Sequence, residues 1–140
     1  MNILFFITPK SEVAYIYDDY TMRQALEKME YHRYSAIPII NREGAYVGTI
    51  TEGDLLWYLK NDLNLELKAI EDVYVCDVKR RMDNKPVSIN ANIEDLISKS
   101  MNQNFVPVID DQNIFIGIIK RRDIIEYCYK NINHKKITNV

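Results

Sequence analysis

The sequence predicts an α+β fold in which one β-α-β-β-α unit occurs twice, and three observations carry that expectation. Sliding the chain along itself by 69 residues lays Pro38, Gly48 and Asp54 on Pro107, Gly117 and Asp123. The apolar pairs between these landmarks coincide as well: Ile39-Ile40 with Val108-Ile109, Tyr46-Val47 with Phe115-Ile116, and Leu55-Leu56 with Ile124-Ile125. Within each copy the apolar spacing passes from helical to strand-like in the same order.

The elements follow in turn. A short strand opens each copy, at Val13 to Tyr17 and at Pro86 to Ile89. Thr21 is a suitable N-cap for a helix whose Met22, Ala25, Leu26 and Met29 fall at i, i+3, i+4 and i+7, which makes one apolar stripe. With a two-residue slip, Asn92 starts the matching helix through Ile93, Leu96, Ile97 and Met101. Two β-rich runs then flank a polar turn in each copy. They are Ala36 to Ile40 and Ala45 to Ile50 around Asn41-Arg42-Glu43-Gly44, and Phe105 to Ile109 and Ile114 to Ile119 around Asp110-Asp111-Gln112-Asn113. A Pro inside such a run predicts an edge strand, because it has no N–H for a ladder. A second helix follows, from Glu52 to Lys60 and from Arg121 to Asn131. The expected divisions are a first repeat with its N-terminal segment over 1–60, a connector over 61–83, a second repeat over 84–131 and a frayed tail over 132–140.

Composition narrows the function. The chain has 140 residues, 47% apolar and 27% charged, which is the balance of an ordinary globular protein. A unit of roughly 55 residues buries too little surface to stand alone, so the copies are expected to pack sheet against sheet with pseudo-twofold symmetry. A formal charge of −2 gives no global positive field, so neither nucleic acid nor a membrane surface is an expected partner. The apolar run Ile3 to Ile7 is far too short for a bilayer span and has no cationic flank, so a cytoplasmic, reduced setting is the default. Cys76 and Cys128 have no CxxC or metal-ligand spacing, and no metal site is expected.

The stretches Tyr34-Ser35-Ala36-Ile37-Pro38-Ile39-Ile40 and Gly48-Thr49-Ile50-Thr51-Glu52-Gly53-Asp54-Leu55 resemble the cystathionine-β-synthase (CBS) domain, with its Pro-bearing strand and Gly-x-x-Thr-x-x-Asp motif. Asn104-Phe105-Val106-Pro107-Val108 and Gly117-Ile118-Ile119-Lys120-Arg121-Arg122-Asp123 repeat the pattern. The resemblance runs from about residue 8 to 131 and implies a tandem pair, or Bateman module. It extends, through Pro9-Lys10-Ser11-Glu12-Val13-Ala14-Tyr15, to small stand-alone CBS pairs of Gram-positive bacteria, some of which bind cyclic di-AMP.

That resemblance implies an adenosine-containing ligand in clefts that take the adenine wall from one repeat and the Asp segment from the other. A first cleft then combines Val13, Ala14, Tyr15, Tyr34, Ser35, Ala36 and Pro38 with Lys120, Arg121, Arg122 and Asp123. A second, weaker one combines Ser88, Ile89, Asn104, Phe105, Val106 and Pro107 with Thr51 and Asp54, where Glu52 adds a second carboxylate. An Asp in the first turn of a helix can accept hydrogen bonds from ribose hydroxyls, and free amides at the helix start suit phosphate oxygens. Lys120 replaces the family's Thr or Ser but adds charge suited to di- or triphosphates or a cyclic dinucleotide.

Each feature also has a purely structural reading. Asp54 and Asp123 suit the positive ends of their helices with no ligand present. Lys120-Arg121-Arg122 and Lys79-Arg80-Arg81 could be solvated faces. Tyr34 could be a packed aromatic, and His32 and His134 read as surface groups. The surplus apolar surface at Leu56, Trp57 and Tyr58 suggests a homodimer contact. Three functions stay in play: a regulatory nucleotide sensor acting on an unknown partner protein in trans, a structural dimer with vestigial clefts, and a nucleotide-processing enzyme. The last lacks a P-loop or a nucleophile–base pair, so no catalytic residue is assigned and the nucleotide is expected as a regulatory ligand rather than a cofactor.

Overall fold

In the computed structural model, which describes residues 2 to 138 and side chains through residue 133, the elements fall into two compact units. One comprises Ala14–Asn84 with Gln112–Phe115; the other comprises the chain up to Val13, Lys85–Asp111 and the chain from Ile116 onward. The N-terminal segment thus packs in the compact unit that holds the second repeat. The reason is a strand edge: β1 (Thr8–Pro9) pairs antiparallel with β7 (Phe115–Lys120), placing Pro9 opposite Gly117. Ile3 adds a fully buried side chain to the second core.

The first unit holds β2 (Ile16–Tyr17), α1 (Met22–His32), β3 (Ala36–Ile40), β4 (Tyr46–Thr51) and α2 (Glu52–Asn61). Thr21 caps α1 in a reciprocal box, its hydroxyl accepting the Gln24 N–H while Gln24 Oε1 accepts the Thr21 N–H at 2.8 Å. Of the predicted stripe, Met22, Ala25 and Met29 are buried against Ile37, Ile39, Ile50 and Leu55, and Leu26 is half-buried against the same core. The sheet order is β2-β3-β4, so the Pro-bearing strand is central rather than at an edge. The chain tolerates this because β2 is only two residues long and pairs with Ile39 and Ile40, leaving Pro38 beyond its end. On the other side Pro38 faces Thr49, whose N–H points away from β3 to Asp83 Oδ1 at 2.9 Å, so no ladder bond is lost.

The connector packs on this same unit. Val75 and Val78 are buried in its core, and the Met22 and Val75 N–H groups donate to Val73 and Tyr20 carbonyls at 2.7 and 2.8 Å.

The second unit holds β1, β5 (Val87–Ser88), α3 (Ile93–Ser100), β6 (Phe105–Ile109), most of β7, and α4 (Arg121–Thr138). Its sheet order is β1-β7-β6-β5, with β5 parallel to β6, so Pro107 is again on a central strand beside a two-residue partner. Asn92 Oδ1 caps α3 through the Asp95 N–H at 3.0 Å. Leu96, Val106, Val108, Ile119 and Ile124 form the core. Three expected boundaries move: the opening strands shrink to Ile16–Tyr17 and Val87–Ser88, and the last helix continues to Thr138. The stretch 132–138 is thus part of this helix, and residues 139 and 140 lie outside the described residues. No described helix is long and apolar enough to cross a membrane.

Candidate functional site

The two aspartates singled out by the repeat sit at equivalent places and line equivalent cavities, each within its own unit. The cavity at Asp54 measures about 520 Å³ and is walled by Trp57, Tyr58 and Asn61 of α2, by Asp62, and by Lys79, Arg80 and Arg81. The cavity at Asp123 measures about 400 Å³ and is walled by Glu126, Tyr127 and Lys130 of α4 and by Phe5, Phe6, Ile7 and Thr8. Asp54, Trp57, Tyr58 and Asn61 map by the 69-residue shift onto Asp123, Glu126, Tyr127 and Lys130. The helix entries match as well: the Glu52 N–H donates to the Ser35 carbonyl at 2.9 Å, and the Arg121 N–H to the Asn104 carbonyl at 3.0 Å. These bonds fix the start of each helix against the loop entering the Pro-bearing strand.

The environments of the two carboxylates differ. Asp54 is 7% exposed and its oxygens are occupied: Oδ2 accepts the Thr51 N–H at 3.0 Å, and Oδ1 accepts the Arg81 N–H at 3.1 Å. Thr51 Oγ1 accepts the Asp54 N–H in return, so Thr-x-x-Asp here is a capping box closing the first turn of α2. That role is legible in the spacing. Asp123 is half-buried, and Lys120, which stands where Thr51 stands in the first copy, cannot accept a helix N–H.

The basic run before Asp123 does not act as one block. Arg121 is half-buried and its Nε donates to the Gln103 carbonyl at 2.9 Å, whereas Lys120 and Arg122 are exposed. Gln103, absent from the predicted set, is the buried anchor here. Its side chain accepts the Lys85 N–H at 2.8 Å and donates to the Lys85 and Phe105 carbonyls. In the other run, Lys79 and Arg81 are exposed, all three residues wall the Asp54 cavity, and Arg80 pairs with Asp83 at 2.7 Å.

The remaining predicted residues are placed as follows. In the first unit Ala14 and Ala36 are buried, Pro38 lies within the β3 core strand, and Ser35 is exposed. Tyr34 is half-buried, packs against the core and meets His32 at 5.5 Å between ring centroids. Tyr15 stands edge-on to Tyr17 and Phe115, with Lys28 Nζ 5.4 Å from its ring centre, and partial burial raises its phenol pKa. In the second unit Val13 is buried, Phe105, Val106 and Pro107 lie in β6, Asn104 and Ser88 are exposed, and Ile89 is half-buried. Among the described residues no group of three or more His, Cys, Asp or Glu side chains could hold a metal ion.

Family comparison decides what the repeated frame is: the model of the CBS domain matches residues 6–61 and again 75–130. The chain belongs to the CBS-domain family. As a CBS pair it is 24% identical to an uncharacterised protein of Methanocaldococcus jannaschii over 94% of this chain, and it spans 51% of that relative's length. Its structure is similar to that of CbpB in complex with c-di-AMP, with a TM-score of 0.84 at 24% identity, covering 100% of this chain and 91% of the other. It is also similar to CBSX2 in complex with AMP, with a TM-score of 0.71 at 21% identity, covering 92% and 96%. Identities at this level establish the shared CBS fold.

Proposed function

We propose that this CBS pair is a regulatory sensor of an adenosine-containing nucleotide, acting in trans on a partner protein and not as an enzyme. The observation that carries this reading is the matched pair of Asp-centred cavities, each bounded by the first three turns of the helix that bears the Asp and by a segment from elsewhere in the chain. A carboxylate fixed at a helix start accepts ribose hydroxyls, and cations beside it neutralise phosphate. At the first site Asp123 supplies the sugar contact and the exposed Lys120 and Arg122 the charge; at the second Asp54 supplies the sugar contact. The c-di-AMP and AMP complexes of similarly folded proteins support the ligand class.

The two ligands differ in a way that Asp can read. AMP offers vicinal 2′ and 3′ hydroxyls, whereas the 3′ oxygen of a 3′,5′-cyclic dinucleotide is esterified and leaves one hydroxyl per ribose. A melting-shift panel of AMP, ADP, ATP, S-adenosylmethionine and cyclic di-AMP tests the reading, because a ligand held by the native state alone raises stability at saturation. At least one of the five raises the melting temperature of the wild type, and Asp123→Ala lessens that rise. No shift with any of them leaves a structural module as the surviving reading.

Output in trans needs a surface. Leu56 and Trp57 on α2 are 51% and 56% exposed, and Ile125, Tyr129 and Ile132 on α4 are 58%, 64% and 55% exposed at i, i+4 and i+7. We assign these faces to a homodimer contact. Sedimentation of Trp57→Lys and Ile125→Lys as monomers, against a wild-type dimer, supports the assignment; a monomeric wild type contradicts it.

A further inference from the structure

Residues 79–84 form neither helix nor strand, yet they are fastened at several points along the first unit. The outer edge of β4 is the first fastening. The Thr49 N–H, turned away from β3, donates to Asp83 Oδ1 at 2.9 Å, and the same carboxylate holds Arg80 Nε at 2.7 Å and Nη2 at 3.4 Å. Gly48 makes room for this, since a Cβ there would overlap the Asp83 carboxylate. The second fastening is Tyr46, whose hydroxyl lies 2.6 Å from the Asn84 carbonyl and 2.7 Å from Thr49 Oγ1. A carbonyl only accepts, so Tyr46 donates to Asn84 and the Thr49 hydroxyl donates to Tyr46. The third is the Arg81 N–H on Asp54 Oδ1.

We infer that segment 79–84 is a latch that closes Asp54 and opens when a ribose takes its place. The inference rests on the proposed role of Asp54 as a sugar contact and adds its regulation. Both carboxylate oxygens already accept a backbone N–H, and the side chain is almost fully buried. The Thr51 bond belongs to the helix cap and is retained. The Arg81 bond belongs to irregular backbone and is the one a diol can replace. A replaced Arg81 N–H releases the segment at the end that also carries Lys79 and the Arg81 side chain, both of which wall the cavity. Occupancy is thereby converted into movement of a cationic, irregular stretch of the connector.

A closed latch lowers apparent affinity by the fraction of molecules that are open, so loosening its far end tightens binding. The test uses the full chain carrying Asp123→Ala, so that ligand signals come from Asp54, with AMP and 2′,3′-dideoxy-AMP as probes and amide hydrogen exchange as one readout. Saturating AMP speeds exchange of the Arg81 amide by roughly tenfold or more while the Thr51 amide stays protected, and dideoxy-AMP leaves Arg81 unchanged. Adding Asp83→Asn, or separately Gly48→Ala, whose Cβ would push the Asp83 carboxylate away, tightens AMP binding by about threefold to tenfold in titration calorimetry. If AMP binds but Arg81 stays protected and neither variant binds tighter, the latch is wrong and the sugar contact stands. If AMP fails to bind the Asp123→Ala chain with the latch intact or weakened, the role of Asp54 fails and takes the latch with it.

Discussion

The Asp54 and Asp123 cavities share one frame and differ in nearly everything that fills it. Position for position, Trp57 and Asn61 on one helix become Glu126 and Lys130 on the other, and only Tyr58 and Tyr127 correspond in kind. The segment completing each cavity differs most: Lys79-Arg80-Arg81 at Asp54, and Phe5-Phe6-Ile7-Thr8 at Asp123. The sheet edges beside them are also closed by different means. β4 is met by one carboxylate at Gly48, whereas β7 is met by a backbone strand at Gly117. Duplication thus keeps the hydrogen-bonded helix entry, while the chemistry lies in the segment laid alongside. On the proposed function, a pair built this way is expected to bind one ligand class with unequal strength at its two sites.

The two glycines give the largest test of that contrast. A Cβ at Gly117 would collide with the Thr8 carbonyl oxygen, which is fixed backbone, and with Ile7, whereas at Gly48 it meets the end of a side chain that can swing away. Gly117→Ala is expected to cost about 3 kcal/mol or more and to detach β1, and Gly48→Ala about 1 kcal/mol, by urea denaturation. Equal costs would erase the distinction between a backbone closure and a side-chain closure.

Tyr46 comes next. It is 9% exposed, and Tyr46→Phe takes away its hydrogen bonds to the Asn84 carbonyl and the Thr49 hydroxyl, at a cost of about 1 to 3 kcal/mol. Burial raises its phenol pKa above the ordinary 10.0. A raised folded pKa means that the unfolded chain ionises first, so stability holds below pH 10 and declines as pH rises beyond it. Denaturation across pH 9 to 11 checks this, and Tyr46→Phe flattens the alkaline limb.

The capping difference predicts changes of opposite sign. Thr51→Ala removes a cap and costs about 1 kcal/mol, whereas Lys120→Thr supplies the missing cap, with Asp123 at N3, and raises stability by about 0.5 to 1 kcal/mol. Thermal denaturation of the two variants distinguishes them; a loss from Lys120→Thr would mean that the second helix start is held in some other way.

The smallest effect is at Asp19. Its hydrogen bond to Arg42 holds the carboxyl below the ordinary 3.8, so its stabilisation is present above that pH and lost as the pH falls through the lowered value. Both partners are well exposed, and Arg42→Gln changes acid stability only slightly, in titrations followed by circular dichroism.

Much of this organisation was legible in the residues. Thr21 and Asn92 announced their helices because a cap is a local interaction, and Ala36–Ile40 and Phe105–Ile109 were bounded by their own apolar runs. The motif aspartates were found by recurrence, and the cavities give that recurrence a spatial meaning. What sequence did not disclose was long-range. Nothing near Thr8 says that it pairs with β7, nothing near Asp83 says that it closes β4, and Arg81 lies 27 positions from the carboxylate it meets. Propensity places the Pro-bearing strands at edges because it cannot see that their parallel neighbours stop after two residues. Lys120-Arg121-Arg122 looked like one cationic block until the Gln103 carbonyl claimed Arg121.

The central claim, that the two matched carboxylates receive the sugar of an adenine nucleotide, is tested most directly by titration calorimetry of AMP and cyclic di-AMP. The titrations compare the wild type with Asp54→Asn, Asp123→Asn and the double variant. The account predicts that at least one of the two ligands binds the wild type, that each single variant weakens its own site, and that the double variant binds neither ligand. Undiminished binding by the double variant would contradict it.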